Sequence, residues 1–297
     1  MSIIEGFKDA DRLLYHYTKM TTARTHIFPS WKIRMGSFRH TNDPKESRTW
    51  HFDLGTNQNR DLLCRERDEL CQRLSVCFKE HARVLCFCQD LGPLTGQHLF
   101  EIGRRGFGRP RMWAQYGQAH AGVCMVFDRR KLEAQIRHAC EPAFEILGGK
   151  VTYRNRSVVQ DHQGHYIIGL DHLARVGFDQ YWKDHARQFA QRLFFEKMED
   201  WRDEVEFRYL AFFDDTPEVL VDMADSLEAV IFGDAADESE VDAAIQVLRP
   251  KKIQMMGLRW HNCSPWYDYG NLKYSATAWN SPWAIAQAKA RGAKPAC

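Results

Sequence analysis

The sequence predicts an α+β fold, and three features carry that expectation. Stretches with period-two alternation and stretches with helical spacing are mixed, without the regular strand–helix–strand order of a doubly wound sheet. The late stretch Trp201–Phe213, WRDEVEFRYLAFF, alternates as a strand, with Val205, Phe207, Tyr209, Ala211 and Phe213 on an apolar face. No internal repeat, low-complexity tract or composition shift marks a linker. Residues 1–258 are therefore expected to form one α+β domain, followed over 259–297 by an aromatic appendage and tail.

From the N-terminus, Asp11–Thr18 has the composition of a strand, and Thr21–Phe28 reads as a short helix that Pro29 helps to stop. Lys32–Ser37 is the next strand. His40–Glu46, HTNDPKE, has the Asn, Asp and Pro of a turn. Asn59–Phe78 spaces Leu62, Leu63, Leu70 and Leu74 as an amphipathic helix. Val84–Gln89 is a buried strand, and Gly92–Arg111 a Gly/Arg-rich loop carrying Arg104, Arg105, Arg109 and Arg111. Gly122–Asp128 is a strand, Arg129–Cys140 a helix, Gly148–Arg154 a strand, and Asp171–Trp201 a long helical region with a break near Gly177. After the Trp201–Phe213 strand come strand Leu227–Gly233, helix Glu238–Leu248 and strand Lys251–Leu258. Trp260–Trp283 is aromatic and irregular.

Composition excludes several classes. A formal net charge of +2 creates no global field toward nucleic acid or a membrane. No apolar run reaches the ~18–20 residues of a membrane span, and the N-terminus lacks the apolar core of a signal peptide. Nine cysteines, at apolar positions and without a CxxC pair, read as reduced core thiols. A cytoplasmic protein without a membrane partner is expected. No phosphate-binding GxxxxGK loop, GxGxxG, GxSxG or HExxH is present, and no two histidines pair at i, i+4, so no metal site is expected.

Four islands of chemistry remain. In Leu14–Thr18, LYHYT, alternation sets His16 and Thr18 on one face and Tyr15 and Tyr17 on the other; a His with a Thr two residues on suits a ribose diol. Thr41–Glu46, TNDPKE, has the residues of an Asx turn. Met112–Gly122, MWAQYGQAHAG, reads equally as aromatic core. The fourth island is the strand face of Glu204, Glu206 and Arg208, with carboxylates about 6.5–7 Å apart. It is either a solvated Glu–Arg ladder or a carboxylate pair sharing labour in a cleft.

The islands LYHYT, NDPKES, CFCQD, MWAQYGQAHAGVCMVFD, FEKMEDWRDEVEFRYL and LEAVIFG, in this order from about Leu13 to Leu258, resemble the bacterial domain-of-unknown-function family 2971. More remotely, an early strand with His-x-Thr and a late strand with Glu followed by an aromatic are similar to ADP-ribosyltransferases, including DNA-targeting bacterial toxins. That resemblance implies a split β-sandwich with flanking helices that grips NAD as co-substrate. Where that superfamily has Ser-Thr-Ser or Tyr in its middle motif, this chain has Gly36-Ser37-Phe38.

The implied roles follow from cleavage of the nicotinamide–ribose bond, whose transition state is oxocarbenium-like. Glu206 would stabilise that charge, and Glu204 would orient or deprotonate the acceptor. His16, Tyr17 and Thr18 would hold a ribose, Ser37 would support Glu206, Phe38 or Tyr116 would stack on nicotinamide, and Arg208 or the Arg104–Arg111 loop would meet phosphates. The implied function is transfer to a macromolecule, DNA, RNA or protein, as a toxin with an antitoxin or a phage-defence effector with a defence partner. The alternatives are an NAD glycohydrolase and a non-catalytic binding module of a defence system.

Overall fold

The computed structural model describes residues 8–57, 67–156, 164–251, 253–262 and 264–267. Mixed α/β structure is organised around one large, mostly antiparallel sheet. Its strands are β1 (Leu13–Thr18), β2 (Lys32–Ser37), β4 (Ala82–Gln89), β5 (Val123–Asp128), β6 (Glu145–Lys150), β10 (Glu206–Phe212), β11 (Val219–Asp222), β12 (Leu227–Phe232), β13 (Gln254–His261) and β14 (Ser264–Tyr267). Two small parallel pairs join β3 (Asp53–Gly55) to β8 (Ile167–Gly169), and β7 (Thr152–Tyr153) to β9 (Glu196–Lys197). The helices used below are α1 (Pro44–Ser47), α2 (Arg67–His81), α3 (Pro110–Gln115), α4 (Arg129–Ala139), α5 (Leu170–Val176), α6 (Phe178–Phe194) and α7 (Glu238–Leu248).

β4 is the hub. Along one edge it pairs with β10, from Glu206↔Cys88 to Phe212↔Ala82. Along the other it pairs first with β2, at Gly36↔Val84 and Ser37↔Arg83, then with β1, at Leu14↔Gln89 and Tyr15↔Cys88. Between those two registers β1 and β2 part, and the imidazole of His16 takes the place of a strand donor: its Nδ1 lies 3.0 Å from the Cys86 carbonyl. A cavity opens beside this parting.

Alternation sorts β1 and β10 as the sequence predicts. Leu14, Phe207, Tyr209 and Ala211 join the core under α4 and α7, while Leu210 and Phe212 enter the aromatic core under α2 and α6. Tyr15 and Tyr17 pack with Phe107 and Trp113 in a third cluster, so the MWAQY stretch supplies core as well as site. Both faces of β10 are buried, which overturns the solvated-ladder reading of Glu206 and Arg208.

Other expectations shift. The Asp171–Trp201 region is α5 and α6, divided at Gly177, whose φ of 77° favours glycine; α6 ends at Phe194 and a 3₁₀ turn, Glu199–Glu204, leads into β10. Glu204 therefore lies outside the strand, because Val205 is left-handed, φ 42°. Gly148–Arg154 divides into β6 and β7, and the 40–46 turn runs into α1. β13 runs through position 258 and turns back as β14; residues 268–297, with most of the aromatic appendage, lie outside the described residues, as do residues 59–66 of the proposed helix. Among the described residues no helix is long and apolar enough to cross a membrane. Cys71, Cys77, Cys86, Cys88, Cys124 and Cys140 form no disulfide.

The Gly/Arg-rich segment is not a free loop. Arg105 is fully buried against Asp90, 2.9 Å away, and Gly106 packs so closely under Tyr15 that a Cβ would sit 2.2 Å from the ring. Arg109 donates to the carbonyls of Gln89 and Asp203, Arg104 to those of Leu91 and Gly92, and Arg111 to that of Asp200. These guanidiniums are engaged by carbonyls and by the carboxylates of Asp90 and Asp203. The segment thus clamps the 199–204 turn instead of offering its arginines to phosphates.

The aromatic core contains a titrating group. His185 touches Phe52 and Phe78, its Nε2 lies 2.9 Å from the His165 carbonyl, and its Nδ1 faces the Tyr181 hydroxyl, which accepts from Gly169 N. Burial lowers its pKa from 6.5 to about 4. Between those values the unfolded chain binds a proton that the folded chain does not, so stability falls as pH drops from 6.5 to about 4. The expected loss is up to roughly 3 kcal/mol. Urea unfolding of wild type and His185→Gln across this range checks it: the variant's slope with pH should be shallower, and equal slopes would remove His185 as the cause.

Candidate functional site

A cavity of about 230 Å³ opens where β1, β4, β9 and the 199–204 turn meet. Its walls include Tyr15, His16 and Tyr17 of β1, Asn42 and Glu46 beside and within α1, Tyr116 after α3, Lys197 of β9, Glu204 and Glu206. Sequence reasoning named His16, Tyr17, Tyr116, Glu204 and Glu206, and the fold brings these five together. It did not single out Glu46 or Lys197.

Each carboxylate is placed by local structure. Asp43 caps α1 by accepting from Lys45 N, and the buried Lys79 ammonium donates to the Glu46 carbonyl, so the Asx turn aims Glu46 inward. The Glu204 carbonyl takes the Cys88 thiol at 2.8 Å, and Gln89 N donates to the Val205 carbonyl. Glu206 N donates to the Tyr153 hydroxyl at 2.8 Å. The left-handed Val205 between them takes Glu204 out of the strand, yet both carboxylates still reach the same cavity and the same Lys197 ammonium.

Two cations serve these three carboxylates. Arg208 holds Glu206 bidentately at 2.7 and 2.8 Å and reaches Glu46 Oε1 at 2.6 Å. Lys197 bridges Glu204 Oε2 at 2.8 Å and Glu206 Oε2 at 2.7 Å. The Tyr116 hydroxyl donates to Glu204 Oε1 at 2.6 Å. Glu46 Oε2 is buried with no partner among the described residues. With all five groups ionised, the carboxylates outnumber the cations that contact them by one, and they line a cavity walled by three tyrosines; the Lys79 ammonium on the Glu46 carbonyl is a further cation beside Glu46.

The environments push the two late carboxylates apart. Burial alone would raise Glu206, but Arg208 and then Lys197 outweigh it and hold that carboxyl well below the usual range. Glu204 moves upward: burial raises it, Lys197 opposes, and the Glu206 charge adds to the rise. Burial lowers the pKa of His16, so a neutral ring with Nδ1–H on the Cys86 carbonyl keeps Nε2 as an acceptor.

Four of the residues suggested by sequence are elsewhere. Phe38 is fully buried between Trp50 and Phe194, so no ligand ring can stack on it. Ser37 caps the turn after β2 by accepting from Arg39 N, and its hydroxyl donates to the Lys79 carbonyl instead of supporting Glu206. Arg208 has no exposed surface and spends its fork on Glu206, Glu46 and the Phe194 carbonyl, so it meets no external phosphate. Thr18 lines a neighbouring groove of about 700 Å³, with Thr22, His26, Lys32 and Arg34; His16 lines both that groove and the cavity.

Residues 112–209 match the model of a family described as a protein of unknown function (DUF2971). This supports the family resemblance seen in the sequence. The DUF2971 match covers Tyr116, Lys197, Glu204, Glu206 and Arg208, and leaves His16, Asn42 and Glu46 outside it. No curated protein and no solved structure matches the chain. Among the described residues, no group of three or more His, Cys, Asp or Glu side chains is arranged to hold a metal ion.

Proposed function

We propose that the chain is an NAD-consuming ADP-ribosyltransferase acting on a macromolecule. The observation that carries this reading is the surplus of carboxylate charge, with Glu46 Oε2 unpartnered, in a small cavity lined by tyrosines. Such a wall complements a cationic pyridinium ring and the positive charge that develops at the ribose C1′ as the ring departs. The cavity is smaller than the ~300–1,000 Å³ of sites that enclose a drug-sized ligand. It suits the nicotinamide–ribose end, and the adjoining groove past His16, with Lys32 and Arg34, suits the phosphates and adenosine.

In this reading the C1′–N bond breaks with its electron pair leaving on nicotinamide. Glu206, held ionised, stabilises the charge on the ribose. An acceptor O–H or N–H then attacks C1′, and its proton passes to Glu204, the carboxylate with the higher proton affinity. Tyr116 and Lys197 fix the Glu204 oxygens. His16 Nε2 accepts a hydrogen bond from a ribose hydroxyl.

The test is chromatographic release of nicotinamide from NAD, with labelled NAD followed onto DNA, RNA and lysate protein. Release with label on a macromolecule is expected. Free ADP-ribose alone would replace the transferase with a hydrolase. No release, together with no thermal shift at millimolar NAD, would overturn NAD as the substrate.

A further inference from the structure

Behind the wall formed by α1 and β9 lies a second cavity, of about 410 Å³, which the chemistry above does not use. Sequence neighbours divide between the two spaces. Lys45 and Glu196 line this one, and Glu46 and Lys197 line the first. In β9 the division follows from the alternation of a strand. The lining includes five cations, Lys45, Arg48, Arg67, Arg154 and Arg156, against Asp53 and Glu196.

Those cations are of two kinds. Lys45 and Arg156 are fixed on Glu196, at 3.3 and 3.1 Å, and Arg67 pairs with Asp53. Arg48 and Arg154 are exposed and form no ion pair among the described residues. Both residues line the space together with His51 and Tyr166. The volume falls in the roughly 300–1,000 Å³ range of organic-ligand sites and is more than one inorganic anion fills.

We propose that this cavity seats the phosphodiester backbone of a nucleic-acid strand, the acceptor in the transfer reaction; the acceptor role rests on the NAD reading above. Guanidinium forks match phosphate oxygens in pairs, and an excess of cations releases the strand's counterions. The Tyr166 and His51 rings offer faces and edges for bases beside those phosphates. A strand seated here lies against Lys45 and Glu196, whose chain neighbours Glu46 and Lys197 line the carboxylate chamber. The guanidiniums of the Arg104–Arg111 segment, in contrast, are already engaged by Asp90, Asp203 and backbone carbonyls.

The experiment is fluorescence anisotropy of the full chain with end-labelled single-stranded DNA and RNA oligonucleotides, from about 50 to 200 mM salt. Arg48→Glu/Arg154→Glu should weaken binding at least tenfold relative to wild type. It should also lower the slope of log affinity against log salt by about 1.4, two contacts at roughly 0.7 each for a single strand. The charge-matched control Arg130→Glu/Arg249→Glu, exposed residues outside the cavity, should bind as wild type does. Nicotinamide release to water should be unchanged in the cavity variant, because neither residue lines the first chamber. Equal affinity in wild type and the cavity variant, no binding by wild type at the lowest salt, or displacement by inorganic phosphate or polyglutamate at equal charge concentration would overturn the proposal. The titration contains no NAD, so its outcome is separate from that of the release assay.

Discussion

Glu204→Gln is expected to reduce nicotinamide release from NAD by about 10²–10⁴-fold, the usual range for loss of a positioned acid–base group. Glutamine keeps one oxygen to accept from Lys197, and its amide N–H donates to the Tyr116 hydroxyl oxygen in place of the bond that Glu204 Oε1 accepted, so the side chain stays in place while the proton-accepting capacity is lost. The melting temperature should therefore stay within a few degrees of wild type. The pH profile separates this role from a structural one. Burial raises the Glu204 pKa above the ordinary 4.5, so wild-type activity should fall on its acid side as that carboxylate is protonated, beginning above pH 4.5. In the variant that limb should disappear along with most of the rate. Glu204→Asp, which restores the carboxylate at a shorter reach, should recover part of the rate and the acid limb. If Glu204→Gln released nicotinamide at the wild-type rate, the proton-accepting role would be gone, whatever happened to the other carboxylates.

The parts of this site that could be read in the sequence are those that local geometry dictates. Alternation alone sorts Leu14 from Tyr15 in β1 and Phe207 from Arg208 in β10, and the structure keeps both sortings. That His16 and Glu206 line one cavity is a matter of register: β10 pairs with β4 and β4 with β1, as at Glu206↔Cys88 and Tyr15↔Cys88, between strands far apart in the chain. No local pattern encodes such pairings. Val205 shows a different limit. A β-branched residue is among the least expected in the left-handed region, so nothing in WRDEVEF announces the kink that takes Glu204 out of the strand. Glu46 was hidden by a sufficient explanation, since TNDPKE needs its Asn and Asp for the turn in any case. Lys197 sat in a predicted helix that ends three residues earlier, at Phe194. Phe38, an aromatic beside a polar turn, suits a ligand platform and a core equally well, and only the packing of Trp50 and Phe194 against it decides.

Arg208→Met is expected to cost about 3–5 kcal/mol of folding stability, the price of leaving buried carboxylates without their cation. Arg208 is fully buried and joins three separate elements: Glu206 on its own strand, Glu46 on α1 and the Phe194 carbonyl at the end of α6. Methionine fills much of the space but satisfies none of the acceptors, and Lys197 alone is left between Glu204 and Glu206. The pH dependence has a definite sign. Arg208 and Lys197 hold the Glu206 pKa below its ordinary value in the folded chain, so their contribution is complete above pH 4.5 and is lost only as pH falls toward the depressed folded value. In Arg208→Met much of that contribution is missing at neutral pH, and the acid loss of stability should be correspondingly smaller. Adding Glu206→Gln to Arg208→Met removes the uncompensated charge and should recover part of the loss, whereas Glu206→Gln alone should cost less than Arg208→Met, because Arg208 keeps Glu46. Denaturant unfolding of the three variants at neutral pH measures all of these terms. An Arg208→Met protein as stable as wild type would mean that the carboxylates are served by other groups, and the excess negative charge assigned to the cavity would then lose its structural basis.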